Sequence, residues 1–329
     1  MYIHPLHLTP IENKRFLITG GAGFIGSNIT EYLLTHGAKV RVFDNLATGN
    51  IHNLSEFQNH PNFEFLEGDL RKVTDCAVAV KDMDAVCHQA AIGSVPRSIK
   101  DPVTSNDVNV GGFINILTAA KDAGIRRFVY ASSSSVYGDE PNLPKREEKI
   151  GNPLSPYAVT KFTNEVYAGV FSRCYPLEML GLRYFNVFGP KQDPYGEYAA
   201  VMPLFIKALL ESEAPHINGD GEQTRDFTFV HNAVQANILA LTTTNKAAFN
   251  RAYNVAFGQR FTVNQMFEAI RNYLGKDIQA IHREPRAGDI RDSLADISRA
   301  QNLLGYNPKY SFEQGLPLTI EYFKKVFAG

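Results

Sequence analysis

The segment "RFLITGGAGFIGSNITEYLLTHG", residues 15–37, constrains the fold more than any other stretch of this chain. Five mostly apolar residues read as a buried strand. They run without a linker into a glycine turn, and the turn opens a helical pattern. Gly20, Gly23 and Gly26 have the spacing GxxGxxG. A pyrophosphate needs this arrangement: the glycines allow a tight turn and close approach to backbone N–H groups, and the helix N-terminus adds partial positive charge. Phe24 and Ile25 lie inside the same junction. The competing role for such glycines is close strand–helix packing alone. The next strand, "KVRVF", ends at Asp44, followed by Asn45. A carboxylate at this place accepts hydrogen bonds from ribose hydroxyls and repels a 2′-phosphate. No arginine follows it in "DNLATGN", which favours NAD over NADP, although Arg41 pulls the other way.

Further runs, "FEFLE" (63–67), "DAVCH" (84–88) and "RFVYA" (127–131), read as buried strands. The helical patterns between them include "NVGGFINILTAAKDAG", which stops at Gly124, a natural helix end. Alternating strand and helix predicts an α/β fold with a doubly wound parallel sheet covered on both faces. After about residue 186, Pro- and Gly-bearing loops separate shorter elements, which predicts a smaller second region. At 329 residues with 44% hydrophobic side chains, the chain can bury a large core. A net charge of −1 gives no electrostatic reason to expect nucleic acid or an anionic membrane as partner. No apolar run approaches a membrane span. The N-terminus lacks the features of a secretory signal and reads as an added arm. Cys76, Cys87 and Cys174 are widely spaced, so neither a disulfide framework nor a metal site is expected, and a cytoplasmic location fits.

"SPYAVTK" (155–161) places Ser at an N-cap, Pro at the first helical position, and Tyr157 and Lys161 one turn apart on one face. By itself this reads equally as a surface helix. The rest of the chain decides it. "TGGAGFIG", "GDL" (68–70), "HQAA" (88–91), "SSSSVYG" (132–138), "YAVTK" and "RYFNVFGP" (183–190) occur in the order seen in the extended short-chain dehydrogenase/reductase family, which the chain resembles over nearly its whole length.

The resemblance implies a Rossmann-type NAD-binding domain over residues 1–183 and 224–254. A smaller α/β domain, residues 184–223 and 255–329, would bind a UDP-sugar. It implies that Asp69 and Leu70 border the adenine, that Gln89, Ala90, Ala91 and Asn109 line the cofactor path, and that Tyr184 lies near the nicotinamide. Gln89 departs from the pattern, since many members carry an apolar residue there. Tyr157 would be the catalytic base and Lys161 its tuning charge. An ordinary tyrosine has a pKa of about 10. Lys161, together with oxidised nicotinamide, is expected to favour the phenolate. Ser133 matches the family's active-site hydroxyl. The next two positions are an Asp-Glu pair in the family's dehydratases; here they are Ser134 and Ser135, which disfavours water elimination and leaves epimerisation.

By the same resemblance, "INGDG" (217–221), with Asn218, and "TRDF" (224–227), with Arg225, would hold the UDP moiety, as would "REPRAGDIRDSLAD" (283–296), with Arg286 and Asp289. Asn186 would contact the diphosphate or sugar. Epimerases restricted to UDP-glucose and UDP-galactose usually carry tyrosine at the position of Ser293, so serine leaves room for a 2-acetamido group. Ser94, Ser134, Gln192 and Ser293 would face the sugar, as in the bacterial UDP-N-acetylglucosamine 4-epimerases that the chain resembles. A UDP-uronic acid epimerase or decarboxylase and a silent NAD-binding regulator remain alternatives. The resemblance also suggests a homodimer through paired helices, one of them the "NVGGFINILTAAKDAG" helix and the other carrying Tyr157.

Overall fold

The computed structural model describes residues 2–195, 200–284 and 291–328. Its centre is a seven-stranded parallel sheet. Six strands are β1 (Arg15–Thr19), β2 (Lys39–Asp44), β3 (Phe63–Glu67), β4 (Ala85–His88), β5 (Arg127–Ser133) and β6 (Glu178–Tyr184). The seventh, Arg251–Val255, lies beyond β6, giving the order Arg251–Val255, β6, β5, β4, β1, β2, β3. β4 is buried at all four positions and β1 at four of five, as expected of strands covered on both faces. The strand order reverses between β1 and β4, which pair in parallel from Phe16 opposite Ala85 to Thr19 opposite His88. A crevice at such a reversal, at the carboxyl ends of the strands, is where open α/β sheets bind ligands.

The helices of the first half are α1 (Phe24–Thr35), α2 (Val73–Ala79), α3 (Val95–Lys100), α4 (Pro102–Asn106), α5 (Gly112–Asp122) and α6 (Pro156–Cys174). Helix α1 and the helix Val230–Thr242 close one apolar layer with the sheet; α2 and α5 close the other, joined there by Ala168 and Phe171 of α6. Ser155 caps α6 by accepting from Ala158 N, with Pro156 in the first turn. Gly124, with φ 73°, ends α5. The helix expected over "NVGGFINILTAAKDAG" is interrupted. Residues Asp107–Gly111 form a π-helical stretch between α4 and α5, a wider turn that sequence periodicity does not encode.

The second region has its own apolar core, in which Phe205, Phe267, Phe312 and Phe323 are buried. Its strands are only two or three residues long and form three separate pairs. Among the described residues, no helix is long and apolar enough to cross a membrane. The three cysteines are free.

Candidate active site

A cavity of about 510 Å³ opens at the carboxyl ends of β1 and β4. Its floor is the glycine turn. Gly20 has φ 67°, and a Cβ there would meet Ala90 Cα at 2.6 Å; a Cβ on Gly26 would meet the Gly20 carbonyl at 2.3 Å. Gly23 is the N-cap of α1 with no capping side chain, and Phe24 and Ile25 begin the helix. The turn is therefore a cradle of bare backbone at a helix N-terminus, the shape and charge that a pyrophosphate fits. Asp44 stands at one end of the cavity. Its carboxylate accepts from Ala22 N (3.0 Å) and Leu46 N (2.9 Å), while burial raises its pKa. Asn45 lines the wall beside it.

Arg41 is remote from this wall. Its guanidinium is held by Glu64 (2.8 Å) and by the carbonyls of Val78, Ala79 and Lys81, so its pull towards a 2′-phosphate disappears. The guanidinium that does line the cavity belongs to Arg71, which is ion-paired to Asp69 at 2.5 Å and holds that carboxyl down at about 2. Leu70, Ala90 and Ala91 complete this wall.

Gln89 and Tyr184 also line the cavity, and both are tied from behind. The Tyr184 hydroxyl lies 3.0 Å from Gln89 Oε1 and 2.8 Å from Asn237 Nδ2, and Gln89 Nε2 donates to Asn237 Oδ1 at 3.0 Å. The amide that departs from the family pattern thus belongs to a polar network behind the wall. Asn109, expected on the cofactor path, is buried outside the cavity lining. It accepts from Ile92 N (2.8 Å) and donates to Ile92 O and Thr160 Oγ1, tying the turn after β4 to α6.

Tyr157 and Lys161 reach the cavity from the first turns of α6. Tyr157 N donates to Ser98 Oγ at 3.0 Å, which fixes the start of the helix. Lys161 is almost wholly buried; its Nζ donates to Ala131 O at 2.9 Å and lies 5.9 Å from the centre of the Tyr157 ring. Burial pushes the Lys161 ammonium down to about 8. The lowered tyrosine pKa expected from the sequence is not found in the chain alone. Burial raises the Tyr157 phenol above its ordinary value, and the hydrogen bond with Ser133 offsets only part of this.

Ser133 ends β5 and accepts from Ser135 N at 3.1 Å. Ser134 and Ser135 lie in the 3-10 turn that follows, and the Ser135 hydroxyl is buried without a partner among the described residues. Ser132, which sequence reasoning passed over, does line the cavity, but its hydroxyl lies 2.5 Å from Glu165, itself paired with Arg183.

The residues expected around the sugar are more scattered. Gln192 lines the cavity; its Nε2 lies 3.3 Å from Val187 O, and its Oε1 is buried without a partner among the described residues. Ser94 caps α3 at φ 133°, a backbone conformation that serine rarely adopts, and accepts from Arg97 N. Asn186 also has positive φ, 34°, and its carbonyl accepts from Thr228 N. Asn218 ends the strand His216–Asn218. Arg225 Nη1 is held on Thr224 O and Arg291 O. Ser293 is buried. None of Ser94, Ser133, Ser134, Asn109, Asn186, Asn218, Arg225 or Ser293 lines the large cavity itself. Arg286 and Asp289 lie outside the described residues.

Sequence reasoning missed the far wall, formed by Lys191, Asp193, Pro194 and Tyr195 and by Tyr322, Phe323 and Val326 of the helix Phe312–Ala328. Only a three-dimensional approach joins that helix to the glycine turn. Among the described residues no group of His, Cys, Asp or Glu is placed to hold a metal ion.

The chain belongs to the NAD dependent epimerase/dehydratase family, whose model matches residues 16–256, and NAD is its cofactor. It is 39% identical to a putative UDP-glucose 4-epimerase of Methanocaldococcus jannaschii over 94% of this chain and 98% of that one. A UDP-N-acetylglucosamine 4-epimerase of Methanobrevibacter ruminantium, solved with UDP-N-acetylmuramic acid, superposes with a TM-score of 0.91 at 40% identity, covering 96% of this chain and 99% of its own. A UDP-glucuronic acid 4-epimerase of Bacillus cereus, solved with UDP-glucuronic acid and NAD, gives a TM-score of 0.89 at 30% identity, with 95% and 99% covered.

Proposed function

We propose that this protein is a UDP-sugar 4-epimerase that interconverts UDP-N-acetylglucosamine and UDP-N-acetylgalactosamine through a transient 4-keto sugar, and that it also accepts UDP-glucose and UDP-galactose. The observation that carries the reading is the site's hydroxyl set: Ser133 hydrogen-bonds Tyr157 beside Lys161, and the adjoining turn offers Ser134 and Ser135 in place of carboxylates. Such a site can move a hydroxyl proton but has no acid–base pair at that turn for expelling water. The 4-epimerases among the relatives support the same chemistry.

Tyr157 takes the proton from the sugar 4-hydroxyl and later returns it. Ser133 holds the same sugar oxygen in both states. When bound, NAD supplies the hydride acceptor for C4 and, in its oxidised form, a second positive charge near the phenol. That charge would favour the phenolate against the burial that raises the phenol in the chain alone. Lys161, anchored on Ala131 O, keeps its ammonium under the ring. Inversion requires C4 to present its opposite face, so UDP must stay fixed while the hexose turns. Arg225 is steadied by two backbone carbonyls for this role. Arg286 and Asp289 join it by their sequence positions. Ser94, Ser134, Gln192 and Ser293 give small or polar contacts to a turning sugar, and Ser293 leaves space for the acetamido group.

Incubating purified protein with UDP-N-acetylglucosamine and no added reductant should yield UDP-N-acetylgalactosamine. Turnover confined to UDP-uronic acids, or a 4-keto-6-deoxy product, would overturn the reading. A second copy of the chain is proposed to pair along α6, where Val159, Phe162, Val166 and Val170 recur at helical spacing and are exposed, next to exposed Ile99 and Val103. Light scattering should give a dimer mass, and Val166→Asp a monomer.

A further inference from the structure

The N-terminal arm is not a loose extension. Tyr2 and Ile11 are buried, and the arm lies across α1 and the helix Val230–Thr242. The Tyr32 hydroxyl of α1 accepts from Leu6 N (2.6 Å) and His7 N (3.1 Å), and Leu8 N donates to Thr242 Oγ1 (3.1 Å). The Tyr2 ring stacks on His231 at 5.1 Å. These contacts aim the Tyr2 hydroxyl at α1, where it donates to Asn28 Oδ1 at 3.0 Å.

Asn28 is the link to the cavity. Its Nδ2 donates to Phe24 O (2.9 Å), in the first turn of α1, and to Pro190 O (3.2 Å). Pro190 opens the segment 191–195 that forms the far wall of the cavity. With Tyr2 donating to its oxygen, the Asn28 amide has one orientation, N–H groups towards both carbonyls. Without Tyr2, nothing else among the described residues donates to that oxygen, and a flipped amide would set its oxygen against Pro190 O. The same wall is fixed at the next residue, where Lys191 Nζ meets Glu31 (3.0 Å) and Glu56 (2.7 Å). Phe24 and the segment 191–195 both line this cavity, so the Asn28 bridge joins two parts of its wall that the chain brings together from α1 and from the stretch after Pro190.

We infer that the N-terminal arm is a clasp for the cofactor: Tyr2 orients Asn28, Asn28 ties Pro190 to α1, and this tie slows the opening through which NAD leaves. Tyr2 is thus a positioning residue that touches no reacting atom. The inference rests on the cofactor occupying this cavity and is independent of which sugar is turned over.

The test follows bound NADH fluorescence after adding excess NAD⁺ to the full chain. Tyr2→Phe keeps the ring and its stacking and removes one buried donor; release should speed up by about tenfold, the scale of one buried hydrogen bond whose acceptor is left unsatisfied. Asn28→Ala should speed it similarly, and the double variant no further. Ile11→Ala, which loosens the same arm without touching Asn28, should lower the melting temperature and leave the release rate unchanged. Wild-type release in Tyr2→Phe, or acceleration in Ile11→Ala in proportion to lost stability, would overturn the clasp alone. A wild-type chain that holds no NADH would overturn the cofactor's place in the cavity and the clasp with it.

Discussion

Around the glycine turn, the cavity is walled by sheet ends, bare backbone and side chains locked from behind, such as Asp44 on two amides and Tyr184 on Gln89 and Asn237. Around Ser293 and Arg225, the structure consists of two- and three-residue strands in separate pairs joined by loops. A seven-stranded sheet can fix a backbone cradle without its ligand. Short strand pairs carry no comparable backbone cradle, and the proposed inversion asks that the sugar be able to turn there. On the proposed reading, the preformed cradle lies where the cofactor stays and not where the sugar turns.

Four variants would break or sharpen this contrast. The largest effect is expected at the junction of the two regions. Tyr157→Phe should lower kcat by roughly a thousandfold with UDP-sugar binding little changed, because only the proton-carrying oxygen is lost. A fully active Phe variant would remove Tyr157 from the chemistry. In the rigid half, Gly26→Ala sets a Cβ against the Gly20 carbonyl at 2.3 Å, where neither backbone can yield. NAD affinity should fall by about a hundredfold, near the upper end for overpacking a closed site. Titration calorimetry checks this, and near-normal affinity would show the cradle to be less rigid than its contacts imply.

Lys161 tests the cost of the preformed half. Its ammonium is pushed from 10.5 down to about 8. The unfolded chain therefore holds the proton more tightly between those values, and the burden of burying the charge is full below pH 8 and lifts as pH rises towards 10.5. Lys161→Met should then stabilise the cofactor-free chain at pH 7 by about 2 kcal/mol, with the gain shrinking between pH 8 and 10.5. Paired denaturant melts across that range measure it; a pH-independent difference would contradict the shift. The smallest effect belongs to the loose half. Ser293→Tyr should weaken turnover of UDP-N-acetylhexosamines by about 1–2 kcal/mol and largely spare UDP-glucose and UDP-galactose. Equal loss on both pairs, read from kcat/KM, would separate Ser293 from the acetamido pocket.

The sequence made the rigid half legible because its signals are local. The glycine spacing, Asp44 at a strand end and Ser155-Pro156 at a helix start each act within a few residues. The strands at 178–184 and 251–255 went unread, and so did the π-helical turn before α5, because these depend on neighbours distant in the chain. For Tyr157 the sequence showed one half of the balance and hid the other. Residue spacing showed the nearby lysine but not the burial that raises the phenol in the chain without its cofactor. In the second region, motif resemblance supplied the candidate residues, while short strands and loops gave periodicity nothing to act on. Tyr322, Phe323 and Val326 on the cavity wall carried no sequence signal at all.

That last wall has a consequence for how the protein matures. The glycine turn leaves the ribosome long before Tyr322, Phe323 and Val326 do, so throughout most of synthesis the nascent cavity lacks one side. Domains form progressively as the chain emerges, yet here the dinucleotide can be enclosed only when the helix Phe312–Ala328 docks. Trapped nucleotide therefore marks chains that have been made through that helix, and prematurely terminated ones should purify empty.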